Sequence, residues 1–116
     1  MRAQPFSTQV RTRTNLATID LHGEINAFAE SELTEAYAKA ERGNPDTIVL
    51  NFTGVSYINS TGIALIVSLL GLARKAHRRL VVFGLSEHYQ EIFLITRLSD
   101  FMTIYPDEAS ILKEAV

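Results

Sequence analysis

The chain contains no cysteine. Disulfide scaffolds and thiolate metal sites are thereby excluded. It has no basic surplus either: Lys and Arg number 11, Asp and Glu 13, for a formal net charge of −2. Nucleic-acid binders usually carry a marked basic excess, so nucleic acid is not an expected partner. Long hydrophobic runs are also missing. The longest, Gly62 to Ala73 interrupted by Ser68 and Gly71, is about half of the ~20 residues that span a bilayer. The opening residues Met1-Arg2-Ala3-Gln4-Pro5 lack the apolar core of a secretory signal. A cytoplasmic protein with no membrane partner is the expectation.

Catalytic signatures are absent too. There is no G-x-S-x-G elbow, no G-x-x-x-x-G-K-[ST] loop and no G-x-G-x-x-G. His22, His77 and His88 lie far apart without ligand-like spacing, so no metal or other cofactor is expected. The carboxylate pairs Glu30/Glu32 and Glu91/Asp100 read as solvated faces. These residues argue for a binding module rather than an enzyme.

What is present is a chain of 116 residues, 47% of them hydrophobic, which suits one packed domain over 1–116. Phe6 to Arg13 alternates loosely, and Leu16 to His22 alternates with Ala17, Ile19 and Leu21 on one side. The polar link Thr14-Asn15 predicts a hairpin between them, ended by Gly23-Glu24-Ile25. Asn26 is a good N-cap for a helix over 27–42, whose apolar face would hold Phe28, Leu33, Tyr37 and Ala40. Gly43-Asn44-Pro45 stops it. Thr47 to Phe52 reads as a strand covered on both faces. Thr53-Gly54 predicts a turn, and Val55 to Ile58 leads on. A second helix is expected from about Ser60 to His77, then a strand Leu80–Phe83. Ser86 should cap a third helix reaching about Leu98, with Ile92, Phe93 and Ile95 apolar. A short edge strand Met102–Tyr105 follows. Pro106 reads as a first-turn residue of a last helix, with Ile111, Leu112 and Ala115 on its apolar face. Strands alternating with helices predict an α/β domain: a mixed five-stranded sheet with a parallel core and about four helices.

The segment Asn59-Ser60-Thr61-Gly62 is the most informative. It places two hydroxyls and a glycine where a buried strand gives way to a helix. The first helical turn offers unpaired N–H groups and a partial positive charge. Asn59 or Ser60 can simply cap the helix. Alternatively, Ser60 can receive a phosphate, which the free N–H groups would solvate without unfolding the domain.

Along the second helix, Ile63, Ile66, Val67 and Leu70 form one apolar stripe, flanked by Leu65, Leu69 and Leu72. Ala64, Ser68, Gly71 and Lys75 occupy the remaining face. Their small side chains either pack within a helix buried nearly all round or offer a flat docking strip downstream of Ser60. The basic run Arg74-Lys75-Ala76-His77-Arg78-Arg79 complements the helix C-terminus. It lies at the wrong end to clamp a phosphate on Ser60.

The segments Ile48-Val49-Leu50-Asn51-Phe52 and Val55-Ser56-Tyr57-Ile58-Asn59-Ser60-Thr61-Gly62-Ile63 resemble the signature of STAS domains of the anti-sigma factor antagonist type. Leu21-His22-Gly23-Glu24-Ile25-Asn26 resembles that family's G-E-L-D segment, and Glu91 to Leu98 its third-helix pattern. The likeness runs from about Phe6 to Leu112. It implies a bacterial partner-switching regulator of transcription. Its partners would be an anti-sigma factor that is also a serine kinase, and a PP2C-type phosphatase. Ser60 would be the phosphoacceptor and Thr61 the second choice. Asn26, Asn59 and Gly62 would border the partner, together with the strip Ala64, Ser68, Gly71 and Lys75. Two positions depart from the family: Asn59 stands where Asp usually precedes the serine, and Asn26 where Asp ends the G-E-L-D segment. Repulsion of an incoming phosphate should fall accordingly. The alternatives are a regulatory domain of a sulfate-permease-type anion transporter, and a scaffold subunit of a signalling assembly or nucleotide sensor.

Overall fold

The structure, a computed structural model, describes residues 5–114. Its elements run β1 (Ser7–Arg13), β2 (Leu16–Ile25), a 3-10 turn (Ala27–Ala29), α1 (Glu30–Glu41), β3 (Thr47–Ile58), α2 (Ser60–Lys75), β4 (Arg79–Phe83), α3 (Glu87–Ile95), a second 3-10 turn (Leu98–Asp100), β5 (Thr103–Tyr105) and α4 (Glu108–Glu114). The five strands lie in sequence order, β1-β2-β3-β4-β5. The β1–β2 pair is an antiparallel hairpin. The other three pairs are parallel. This is the mixed α/β sheet expected from the alternation of patterns.

Sequence-order strands joined by crossovers of one hand place every crossover helix on the same side of the sheet. Accordingly Ile19, Leu21, Ile48, Leu50 and Val82 face a core that also contains Leu33 and Tyr37 of α1, Ile66 and Leu70 of α2, and Phe93 of α3. The alternate residues Leu16, Val49, Val81 and Phe83 face the other way, where Ile111 of α4 covers them. Alternation across a strand thus sorts the apolar residues into a three-helix side and a one-helix side.

Four expectations need correction. Thr53-Gly54 does not turn the chain. β3 runs on to Ile58, and its pairing with β2 shifts register between Asp20 and His22 and again between Gly23 and Glu24. Each shift sets an extra β3 residue against β2, so the glycine marks a bulge. A Cβ at Gly54 would run into the His22 ring and lie 2.9 Å from the Leu21 carbonyl oxygen. Second, Asn26 caps only a 3-10 turn, its Oδ1 accepting from Phe28 N–H at 2.9 Å, and the α-helix proper starts at Glu30. Third, Phe28 is not on a buried face; it is 94% exposed. Fourth, Pro106 precedes the last helix. Asp107 caps that helix, its Oδ1 accepting from Ser110 N–H at 2.8 Å. Ala115 lies outside the described residues.

Candidate functional site

The Asn59–Gly62 segment lies at the C-terminal end of β3, the middle strand of the five. Asn59 is extended, at φ −93° and ψ −177°, so its side chain folds over the helix mouth. Its Oδ1 accepts from Gly62 N–H at 2.9 Å, and its carbonyl accepts from Ile63 N–H at 3.0 Å. The cap therefore belongs to Asn59, which leaves Ser60 and Thr61 as the first two helical residues. Both are exposed. Among the described residues their N–H groups have no intrahelical carbonyl to reach, as the helix start requires. A free hydroxyl thus stands in the open at the positive end of a helix of 16 residues.

Three contacts hold this mouth in place. The carbonyl of Ile25, the last residue of β2, accepts from Asn59 N–H at 3.2 Å. Gly62 is buried against the same carbonyl: a Cβ there would overlap it and stand 2.8 Å from Ile58 Cγ2. From α3, the buried Tyr89 hydroxyl accepts from Ile58 N–H at 2.8 Å. The strand end before Ser60 is therefore braced from β2 on one side and α3 on the other.

The expected contact residues divide between two environments. Ala64, Ser68, Gly71 and Lys75 are all exposed and follow Ser60 along the outer face of α2. Ser68 Oγ donates back to the Ala64 carbonyl at 3.1 Å, which keeps its polar atom close to the helix. Asn26 and Asn59 are half-buried. Gly62 departs from the expectation of a contact residue, since it faces inward and serves packing. The helix is not buried all round. Only Gly62, Ile66, Leu69, Leu70 and Ala73 are buried, while Val67 of the first apolar stripe is 46% exposed and Leu72 of the flanking one 47%. The outer face is thus more apolar than the four small residues alone suggest.

The basic run behaves as an end cap of the domain. Arg78 folds inward, its Nη1 donating to the Pro45 carbonyl at 2.6 Å and its Nε 3.6 Å from Glu41. Arg74 lies over the Phe101 ring, 5.1 Å from its centroid. Both cations sit at the far end of α2 from Ser60. Sequence reasoning placed Phe28 on a buried helix face and did not single out Tyr89. Phe28 reads as one more apolar residue on a helical period, and only the 3-10 turn before α1 rotates it outward. Tyr89 carries no local signal, because its partner is 31 residues away in the chain.

A family model of the STAS domain matches residues 7–111. The chain belongs to the STAS domain family. It is 32% identical over 100 residues to the anti-sigma-B factor antagonist of Listeria monocytogenes, a match covering 85% of this chain and 88% of that one. Among solved structures, it resembles an anti-sigma factor antagonist from Mycobacterium paratuberculosis with a TM-score of 0.80 at 17% identity, over 95% of this chain and 93% of that one. It also resembles the Bacillus cell fate determinant SpoIIAA in its phosphorylated form, with a TM-score of 0.71 at 21% identity, over 92% and 98% of the two chains.

Proposed function

We propose that the protein is an anti-sigma factor antagonist whose binding is switched by phosphorylation of Ser60. In this reading the unmodified protein docks on a cytoplasmic anti-sigma factor and so frees a sigma factor for transcription. The anti-sigma factor, acting as a serine kinase, phosphorylates Ser60 and is released. A PP2C-type phosphatase resets the cycle. The protein itself acts by binding, not by catalysis.

The observation that carries this reading is the exposed Ser60 hydroxyl directly after the Asn59 cap, at the head of an exposed helix face. A phosphate there would bring about −1.5 to −2 charges and three acceptor oxygens. The free N–H groups and the helix dipole would solvate it, so the domain stays folded. The same charge, placed where a partner surface must come close, expels the partner by desolvation and repulsion. Asn59 and Asn26 contribute no charge of their own, so neither residue repels an incoming phosphate. The name of the Listeria relative supports the role, and the Bacillus neighbour has a phosphorylated form. Thr61, also exposed, is the second acceptor.

The test is affinity for the serine-kinase anti-sigma factor of the same organism, measured by calorimetry. Wild type and Ser60→Ala should bind alike. Ser60→Asp should bind at least about tenfold more weakly, a loss of roughly 1.4 kcal/mol, while melting at the wild-type temperature. Equal affinities for the three proteins overturn the proposal. Mass spectrometry of protein from its native cell should place the phosphate on Ser60.

A further inference from the structure

We propose that Tyr89 is a positioning residue for the Ser60 switch, acting from α3 through the backbone of Ile58. The inference rests on the reading of Ser60 as the modified hydroxyl. The Tyr89 Oη accepts from Ile58 N–H at 2.8 Å and lies 3.4 Å from the Ile58 carbonyl oxygen, to which it can donate only weakly. Both groups belong to the residue immediately before the Asn59 cap. Ile58 pairs with Ile25 at the last rung of the β2–β3 ladder. Beyond that rung, a single backbone bond to β2, from Asn59 N–H to the Ile25 carbonyl, holds the chain as it enters α2. The Tyr89 hydroxyl supplies the opposing brace.

The bracing has a consequence for the hydroxyl. Ser60 Oγ is aimed by the backbone of the first helical turn, and that turn is set by the Asn59 side chain reaching Gly62 N–H. If Ile58 is free to rotate, the cap loosens and Ser60 explores orientations that a kinase cannot use. A near-attack geometry is sensitive to displacements of this size. The Tyr89 ring also borders a cavity of about 130 Å³ lined with Phe52, Thr53, Val55, Gly84, Leu85 and Ser86. The ring therefore has space to leave the bond without forcing a repacking of the core. Whatever shifts α3 shifts the brace, which links this helix to the switch.

The variant Tyr89→Phe keeps the ring and removes only the hydroxyl. Two measurements on the full chain test the proposal. In amide hydrogen exchange, Gly62 N–H should exchange about tenfold faster in the variant, the size expected of one lost hydrogen bond, and by a clearly larger factor than the Ala40 amide in the last turn of α1. In phosphorylation by the anti-sigma kinase with ATP, kcat at Ser60 should fall about tenfold with KM unchanged, as misplacement of the reacting hydroxyl would cause. A general loss of stability would instead speed exchange at Ala40 and Gly62 by the same factor, and that result overturns the proposal, as does an unchanged Gly62 rate. An unchanged kcat in the variant overturns it equally. If wild-type Ser60 is not phosphorylated at all, the proposed function fails. The exchange comparison then decides on its own whether Tyr89 sets the cap.

Discussion

Gly62 and Asn59 define the proposed switch site at the level of single residues, and they do so by opposite means. Asn59 contributes one side-chain oxygen to the helix mouth; Gly62 contributes the lack of a side chain. Because any Cβ at position 62 meets the Ile25 carbonyl, Gly62→Ala must push α2 away from β2. We expect it to destabilise the domain by about 2 kcal/mol or more, in the range of overpacked cores. Urea unfolding checks this: a wild-type midpoint would show that α2 can shift freely. Asn59→Ala should cost about 1 kcal/mol as a lost cap, and Asn59→Asp should keep the cap. The Asn-Ser-Thr-Gly pattern makes Asn59 and Ser60 legible in the sequence, because a polar cap between two apolar runs has one simple reading. Gly62 is legible as a member of the motif, but its inward direction is not. That direction depends on how closely β2 approaches, and β2 lies far upstream in the chain.

The elements that meet at the site are legible to unequal degrees, for identifiable reasons. The pattern places α2 over 60–77, and the helix runs from Ser60 to Lys75, since its apolar density leaves little choice. The same pattern stops β3 too early because Thr53-Gly54 carries the residue types of a turn. A bulge uses the same residues, and only the pairing with β2 distinguishes them. On α2 the outward turn of Val67 has no signature, as periodicity alone offers two apolar stripes and does not say which one the sheet selects. This outer face leads to an expectation at the scale of the helix. Val67→Arg, at a half-exposed position between Ala64 and Ser68, should change folding stability by no more than about 0.5 kcal/mol. Affinity for the anti-sigma factor should nevertheless fall, because an arginine obstructs close approach along the strip. Thermal melting and calorimetry read the two effects separately. Undiminished binding would remove this face of α2 from the interface.

Across the whole molecule, the two sides of the sheet differ in how they are held. The three-helix side is packed almost entirely by apolar contacts. The opposite side includes the nearly buried Asp20, whose carboxylate accepts from Arg11 Nε at 2.7 Å and Nη2 at 2.9 Å, and from Asn51 Nδ2 at 2.8 Å. Arg11 also reaches Glu108 of α4 at 2.8 Å, so this network ties the hairpin edge to the last helix. Chiefly through the Arg11 hydrogen bonds, and despite partial desolvation, the Asp20 carboxyl is held below its usual range. A carboxyl whose folded-state pKa is depressed stabilises the fold above its unfolded pKa of about 3.9, and this contribution fades as pH falls through the folded value. Asp20→Asn should therefore be less stable than wild type at neutral pH. The difference should shrink steadily once the pH drops below about 4. Urea midpoints at several pH values would show this convergence; a constant gap would mean that the network works by shape rather than charge. No local signal announces this network, because Arg11, Asp20, Asn51 and Glu108 look like ordinary polar residues until the strands align them.

The strands follow one another in space as they do in the chain, which leaves Ser60 at the tip of the middle one. Two strands lie on each side of it, so neither margin of the sheet adjoins the ledge on which that serine stands. A component meant to be marked, wiped clean and marked again gains from such a location. Each proposed round of phosphorylation would take place on a platform supported from both flanks, by β2 and by α3.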